Sequence, residues 1–378
     1  MENNILTLIE LSRLYGSDPE YVLAGGGNTS WKNDDTLYVK ASGFSLAQVQ
    51  DSSFVKMDRK ALALILDKTY PESSAERESA VLADMMTARK QGEEEKRPSV
   101  EALLHDIIPF NFVVHLHPAL VNGITCSNQG EKAVREIFGD DVIWIPSINP
   151  GYVLSKAVKE AIDDFYTKHG KHTSIIFLQN HGVFVGANTS DDIKNIYKEI
   201  MTKIGSLIKR KPDFSEEKIV NSDESISAEN PVNKIILELK KLAGAAGFMQ
   251  SKEILSYVKD RESFTPVSSA FSPDHIVYAG SEPLFTEEQS VDGITAAWNE
   301  HVKKTGKNPK IIGIQGLGIF SAAATEKAAN LALELFKDSV KVAVYTESFG
   351  GQLFMTKDKI DFINNWEVEH YRTGVSAK

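Results

Sequence analysis

The stretch Ser174-Ile175-Ile176-Phe177-Leu178-Gln179-Asn180-His181-Gly182-Val183-Phe184-Val185 sets the reading of the chain. Ser174 to Leu178 and Gly182 to Val185 are short apolar runs rich in β-branched and aromatic residues, which predicts two strands around a tight turn. From Ser190 to Leu207 apolar residues recur at helical spacing, so a long amphipathic helix closes the unit. Upstream, Asn111 to His115 is β-rich, Gly130 to Phe138 is helical, Val142 to Ile145 reads as a strand, and Val153 to Tyr166 as a helix. Earlier still come a helical Ile5 to Tyr15, a Gly-rich turn over Gly25 to Ser30 and a strand over Thr36 to Lys40. Helical patterns follow over Asp58 to Leu66, Ala75 to Arg89 and Ser99 to His105. Strands alternating with helices predict an α/β fold, a layered sheet with helices on its faces.

Downstream the pattern dissolves between Lys209 and Asn230 into Lys, Pro, Ser and Glu, the composition of a linker. A boundary near Asp213 divides the chain into 1–212 and a second, smaller α/β domain over 213–378. That domain is expected to hold a helix over Lys234 to Ala246, a strand near Ile276 to Ala279 and a patterned unit over Lys310 to Lys337. Ile311-Ile312-Gly313-Ile314-Gln315-Gly316-Leu317-Gly318-Ile319-Phe320 can be laid over Ile175 to Phe184, an offset of 136 residues that turns His181 into Leu317. The second domain therefore reads either as a partial repeat that lost the chemistry or as a chance likeness of two strand–turn–strand–helix units, and the first reading is preferred. Gly316-Leu317-Gly318 after a strand also faintly resembles a dinucleotide fingerprint, but Ser321 stands where Gly or Ala belongs, and the overlay explains the glycines without a cofactor.

The chain has 378 residues with 42% hydrophobic and 25% charged residues, which is globular composition and length enough for two domains. A formal net charge of -10 argues against nucleic acid as a partner. Cys126 is the single cysteine, so an intrachain disulfide is excluded, which fits a reducing compartment. The first residues carry Glu2 and Glu10 within a helical pattern, unlike a signal peptide, and no apolar stretch reaches membrane-spanning length. A cytoplasmic protein without membrane contact is expected.

Of nine histidines, three have a chemical context. His115 and His117 flank Leu116 at the end of a β-like run, and alternate strand residues share a face, so both imidazoles can reach one metal ion. His181 follows another strand. Three nitrogens with one open position describe a catalytic zinc site. His169 and His172 lie in a polar helix-exit loop, while His275, His301 and His370 have no partner at ligand spacing. His105 is four residues from Glu101 and shares its helix face, as a second-layer residue or a plain helix-face one. Glu101 lies early in a helix leading into the histidine strand, where a carboxylate is also simply stabilising. Gly25-Gly26-Gly27-Asn28-Thr29-Ser30 and Lys40-Ala41-Ser42-Gly43 are turns able to hold an anion, and each alone is equally an ordinary hairpin turn.

Taken in order, Gly27-Asn28-Thr29-Ser30, Ser42-Gly43, Pro98-Ser99-Val100-Glu101 with His105, His115-Leu116-His117-Pro118 and Gln179-Asn180-His181-Gly182 resemble the class II aldolase/adducin family. Phe264-Thr265-Pro266, Pro283-Leu284-Phe285 and Gly316-Leu317-Gly318 extend this toward the aldolase part of bifunctional rhamnulose-phosphate aldolase/alcohol dehydrogenases; the chain stops at Lys378 without a dehydrogenase domain, so that activity is not expected. The resemblance implies a three-layer αβα domain, one zinc on His115, His117 and His181, and Glu101 as general acid/base. It also implies phosphate binding by Asn28, Ser42, Gly43 and Ser99, and a homo-oligomer, a tetramer in much of the family. Lys40 is added to the phosphate set on charge grounds. The implied reaction is cleavage of a ketose 1-phosphate to dihydroxyacetone phosphate and a small aldehyde. A pentulose-phosphate 4-epimerase, a sugar-acid phosphate decarboxylase and a metal-free adducin-like scaffold share the fold. Two positions depart from the family pattern: Val100 replaces a second serine, and Ser147 stands where many members carry a proton-donating tyrosine, with Tyr152 five positions on.

Overall fold

The computed structural model describes residues 2–221, 227 and 230–366. One compact unit runs up to Thr125, resumes over Gln129–Leu207 and includes Trp366; the second takes in Cys126–Asn128 and Ile208–Asn365.

The first unit runs α1 (Glu2–Gly16), β1 (Asn28–Lys32), β2 (Thr36–Lys40), β3 (Phe54–Asp58), α2 (Arg59–Asp67), α3 (Ser74–Thr87), α4 (Ala102–Ile107), β4 (Phe112–Leu116), α5 (Ala119–Thr125), α6 (Gly130–Phe138), β5 (Ile143–Ile145), α7 (Tyr152–His169), β6 (Ile175–Leu178), β7 (Gly182–Ala187) and α8 (Ser190–Gly205). Its seven strands form one sheet in the order β3-β2-β1-β4-β7-β6-β5. Only β5 and β6 run parallel; α7 joins them as the crossover such a pair needs. Asp58 accepts hydrogen bonds from the Lys60 and Ala61 amides at the start of α2, and Thr189 from Asp192 at the start of α8. Along α8, Ile193, Tyr197, Ile200 and Ile204 are buried at helical spacing. The Tyr197 hydroxyl reaches under the sheet to donate to the Val114 carbonyl at 3.0 Å.

Both sheet faces are covered. Val113, Ile176, Leu178 and Phe184 pack with Leu104 of α4 and with Leu154 and Val158 of α7. On the opposite face Phe177 meets Phe138 of α6, ring centroids 5.3 Å apart. Covering both faces explains why β4, Phe-Val-Val-His-Leu, is buried at every position rather than alternating with polar residues. The α/β architecture with three layers is thus as expected. No helix among the described residues is long and apolar enough to cross a membrane.

Two local expectations change. Asn28 to Ser30, read as the end of the Gly25 to Ser30 turn, belong to strand β1, paired with β2 and with β4. Its polar side chains mimic a loop, but they find partners inside, Thr29 on Ser12 at 2.7 Å and Ser30 on His105 at 2.7 Å. The helix expected from Ser99 is α4, beginning at Ala102, so Glu101 precedes it and its carboxylate is not used in capping.

The second unit contains β8 (Lys218–Val220), α9 (Pro231–Ala243), β9 (Ala245–Gln250), α10 (Lys252–Tyr257), α11 (Arg261–Phe264), β10 (Leu284–Thr286), α12 (Val291–Thr305), β11 (Ile311–Ile314), β12 (Gly318–Ala323), α13 (Glu326–Thr346) and α14 (Lys357–Asn365). The sheet order is β10-β11-β12-β9-β8. Most of the linker expected over Asn221 to Asn230, and His370, lie outside the described residues. The strand expected near Ile276 to Ala279 is instead a π-helical turn, His275–Ala279, buried throughout. A short apolar run carries no period that separates strand from helix. Here a buried polar contact decides: His275 bridges Ser272 at 3.1 Å and Asp338 of α13 at 3.1 Å. Gly316 and Gly318 flank a turn between antiparallel strands, not the strand-to-helix turn of a dinucleotide fold.

Candidate metal centre

His115 lies on β4 between two neighbours set by register, Asn28 of β1 on one side and Phe184 of β7 on the other. Its ring stacks on Phe184, centroids 3.9 Å apart and 8° from parallel. His117 follows one residue past the strand. His181 is delivered by the turn between β6 and β7, which Asn180 closes in the left-handed conformation, φ 58°. The ligand nitrogens of the three residues all lie within 4.8 Å of one another. His115 Nε2 is 2.9 Å from His117 Nε2 and 3.2 Å from His181 Nε2.

Glycine permits this convergence twice. A Cβ on Gly27, at φ +70°, would meet the His115 carbonyl at 3.0 Å, and one on Gly182 would meet the Leu116 carbonyl at 2.5 Å and the His117 ring at 2.6 Å. Gly182→Ala is therefore expected to push the His181 turn off the β4 end and destabilise the fold by about 1–3 kcal/mol. Urea unfolding and metal titration of the variant check it; unchanged values in both would show that the turn absorbs the methyl.

Glu101 closes the cluster. Its Oε1 is 3.3 Å from His115 Nε2 and 3.4 Å from His181 Nε2. Its Oε2 accepts from Asn28 Nδ2 at 2.6 Å, and the same amide group donates to Ser99 Oγ at 2.9 Å. Burial pushes the Glu101 carboxyl up, but His115 and His181 more than reverse this and hold it well below the usual carboxylate range. Burial lowers His115 to about 4 despite the pull of Glu101, so its imidazole is neutral near pH 7. His115 Nδ1 lies 3.0 Å from the Val183 carbonyl, which can only accept, so Nδ1 holds the proton and Nε2 offers its lone pair. A lone pair and a carboxylate oxygen at 3.3 Å repel unless a cation lies between them. Three imidazole nitrogens and a carboxylate are also the donor chemistry of a catalytic zinc site. The residues fit such an ion.

The phosphate candidates are only partly gathered. Asn28 and Ser99 join Glu101 directly. The Ser42-Gly43 turn is tied to the segment before Ser99: Ala41 bridges Pro98, and the Ser42 amide donates to the Arg97 carbonyl at 2.9 Å. Gly43 is exposed at φ 91°. Lys40 is buried, and its ammonium donates to the Phe44 carbonyl at 2.7 Å, bracing the turn from within. Tyr152, the nearest tyrosine to Ser147 in sequence, gives its hydroxyl to the Lys68 carbonyl at 3.0 Å.

Behind the cluster lies a layer of which the sequence points to His105 but not to its partners Ser30 and Lys32. Ser30 Oγ meets His105 Nδ1 at 2.7 Å, and the Lys32 ammonium donates to the His105 carbonyl at 2.5 Å. Burial lowers His105 to about 3 and Lys32 to about 7. The signal was the alternation Asn28, Ser30, Lys32, one polar strand face aimed at α4 and Glu101.

A family description, class II aldolase and adducin N-terminal domain, matches residues 7–202. The Bacillus subtilis (strain 168) protein called uncharacterized oxidoreductase YuxG is 22% identical over 416 aligned positions, covering 97% of this chain. The chain spans 57% of that relative's length. Among solved structures, the N-terminal class II aldolase domain of a conserved Thermoplasma acidophilum protein is 28% identical with a TM-score of 0.46, covering 55% of this chain and 94% of that one. YgbL of Klebsiella pneumoniae, titled a putative aldolase/epimerase/decarboxylase, is 16% identical with a TM-score of 0.39, over 55% of this chain and 91% of that one. An L-fuculose 1-phosphate aldolase is 16% identical with a TM-score of 0.37, over 55% and 85%. The family match takes in more than half of the 378 residues, and the chain belongs to the class II aldolase and adducin N-terminal domain family.

Proposed function

We propose that this protein is a zinc-dependent aldolase that cleaves a ketose 1-phosphate of the rhamnulose or fuculose type to dihydroxyacetone phosphate and a small aldehyde. The observation that carries this reading is the double engagement of Glu101, one oxygen on the histidine cluster and the other on Asn28. A carboxylate so held is beside the metal position yet fixed in direction, as a group that moves a proton at one substrate carbon must be. His115, His117 and His181 would hold the zinc, with the Val183 carbonyl fixing the tautomer of His115. When bound, zinc supplies Lewis-acid stabilisation of the negative charge growing on the ketose oxygens as the C3–C4 bond breaks. In cleavage the C4 hydroxyl proton passes to solvent as the aldehyde forms and Glu101, in its protonated form, gives a proton to C3; in synthesis ionised Glu101 removes the C3 proton. Ser99 and the Ser42-Gly43 turn, joined through Arg97 and Pro98, would fix the phosphate and so the register of the sugar, with Lys40 holding the turn in shape.

The test is product analysis with rhamnulose, fuculose and ribulose phosphates, before and after chelation and zinc restoration. Zinc-dependent release of dihydroxyacetone phosphate is expected. Epimerised pentulose phosphate, or carbon dioxide from a sugar-acid phosphate, would overturn cleavage in favour of those reactions at the same residues. A protein taking up no metal and turning over none of these would be a scaffold.

A further inference from the structure

The second unit repeats the core of the first element by element. The order β4-α5-α6-β5-α7-β6-β7-α8 is matched by β9, α10, a run of short helices, then β10-α12-β11-β12-α13. Strand pairings agree in partner and direction. β5 and β6 are parallel, as are β10 and β11, and the chain β6-β7-β4-β1 is antiparallel throughout, as is β11-β12-β9-β8. A single shift of 136 residues carries Ile175 and Gly182, which begin β6 and β7, to Ile311 and Gly318, which begin β11 and β12. The same shift carries left-handed Asn180 to left-handed Gly316, and the left-handed cap Gly170 to Gly306. It also carries Thr189, whose side chain caps α8, to Thr325, which caps α13 in the same way. Two hairpins alike by chance would not share the caps of the helices around them.

Register then locates the counterparts of the histidines. Phe184 faces His115 across β7 and β4; its counterpart Phe320 faces Phe248 across β12 and β9. His115 therefore corresponds to Phe248, His117 two residues on to Gln250, and His181 to Leu317. The ring contact persists, with Phe248 and Phe320 centroids 4.8 Å apart. Gln250 Nε2 donates to the Leu317 carbonyl at 2.7 Å, so the amide is spent on the very turn that would carry the third ligand. We infer that residues 245–346 are a second copy of the core whose metal position has been lost and closed by Gln250, on a backbone still arranged to hold a metal ion. The inference rests on His115, His117 and His181 being metal ligands in the first copy.

Cobalt(II) titration of the full chain, read by visible absorption, tests it. Three proteins are compared: the natural chain, His181→Ala, and Phe248→His/Gln250→His/Leu317→His in the His181→Ala background. One, zero and one cobalt per chain are expected at a concentration that saturates the natural chain. One for the natural chain and none for the folded graft, judged by an unchanged circular dichroism spectrum, would overturn the lost site while leaving the first site intact. No cobalt in the natural chain would overturn the metal reading of the first site and, with it, any lost counterpart. Phe248 is in the core and its replacement can prevent folding. The pair Gln250→His/Leu317→His, at half-buried positions, is therefore read alongside. It is expected to take up cobalt with weaker affinity, and its failure to do so would equally overturn the proposal.

Discussion

His181→Ala is expected to abolish metal retention, from one zinc per chain to none after dialysis, with affinity lowered by more than about a hundredfold. Changing a residue that merely supports a ligand typically costs about 10–100-fold in affinity, so removing a ligand should exceed that. Among the described residues no fourth histidine joins the cluster to replace His181, and the turn presenting it is fixed by Asn180 and by the close approach at Gly182. The loss has a thermodynamic signature independent of activity. With free zinc at about a hundred times the natural dissociation constant, binding stabilises the natural chain by about 2.7 kcal/mol. A hundredfold weaker site gains only about 0.4 kcal/mol under the same conditions. Thermal unfolding with and without zinc should thus separate the two proteins, and equal zinc-induced shifts would mean that the metal is held elsewhere.

How far the site could be read in advance follows from where its contacts lie along the chain. His115, His117 and His181 were legible because strand alternation and a tight turn dictate their directions locally. The tie between Asn28, Ser99 and Glu101 was not, since it spans more than 70 residues and depends on β1 lying beside β4. Polar β1 reads as a loop until its partners Ser12, His105 and Glu101 are in place to absorb its hydrogen bonds, and those partners come from α1 and from α4 with the residue before it. The same reason hid Lys32, a buried ammonium whose acceptor is a backbone carbonyl of α4. The π-helical turn at His275 was equally invisible: the sequence offers Ile276-Val277, a β-like pair, and only Asp338, 63 residues on, fixes the helical alternative. Local patterns thus gave the layers and the histidine cluster; long-range polar pairing set the second layer around it.

Glu101→Gln should separate chemistry from metal binding. The amide keeps the shape of the side chain and can still accept from Asn28 Nδ2, so the pocket stays filled and the three imidazoles keep their positions. It cannot take up or return a proton at carbon. General acid–base catalysis contributes about 10²–10⁴-fold, so kcat should fall by that factor, about 2.7–5.4 kcal/mol in barrier, with zinc content and KM little changed. If zinc content fell together with kcat, Glu101 would be a ligand first and a base second. If kcat stayed within a few-fold of the natural rate, the proton at C3 would be moved by another group, and the acid/base role given to Glu101 would be wrong.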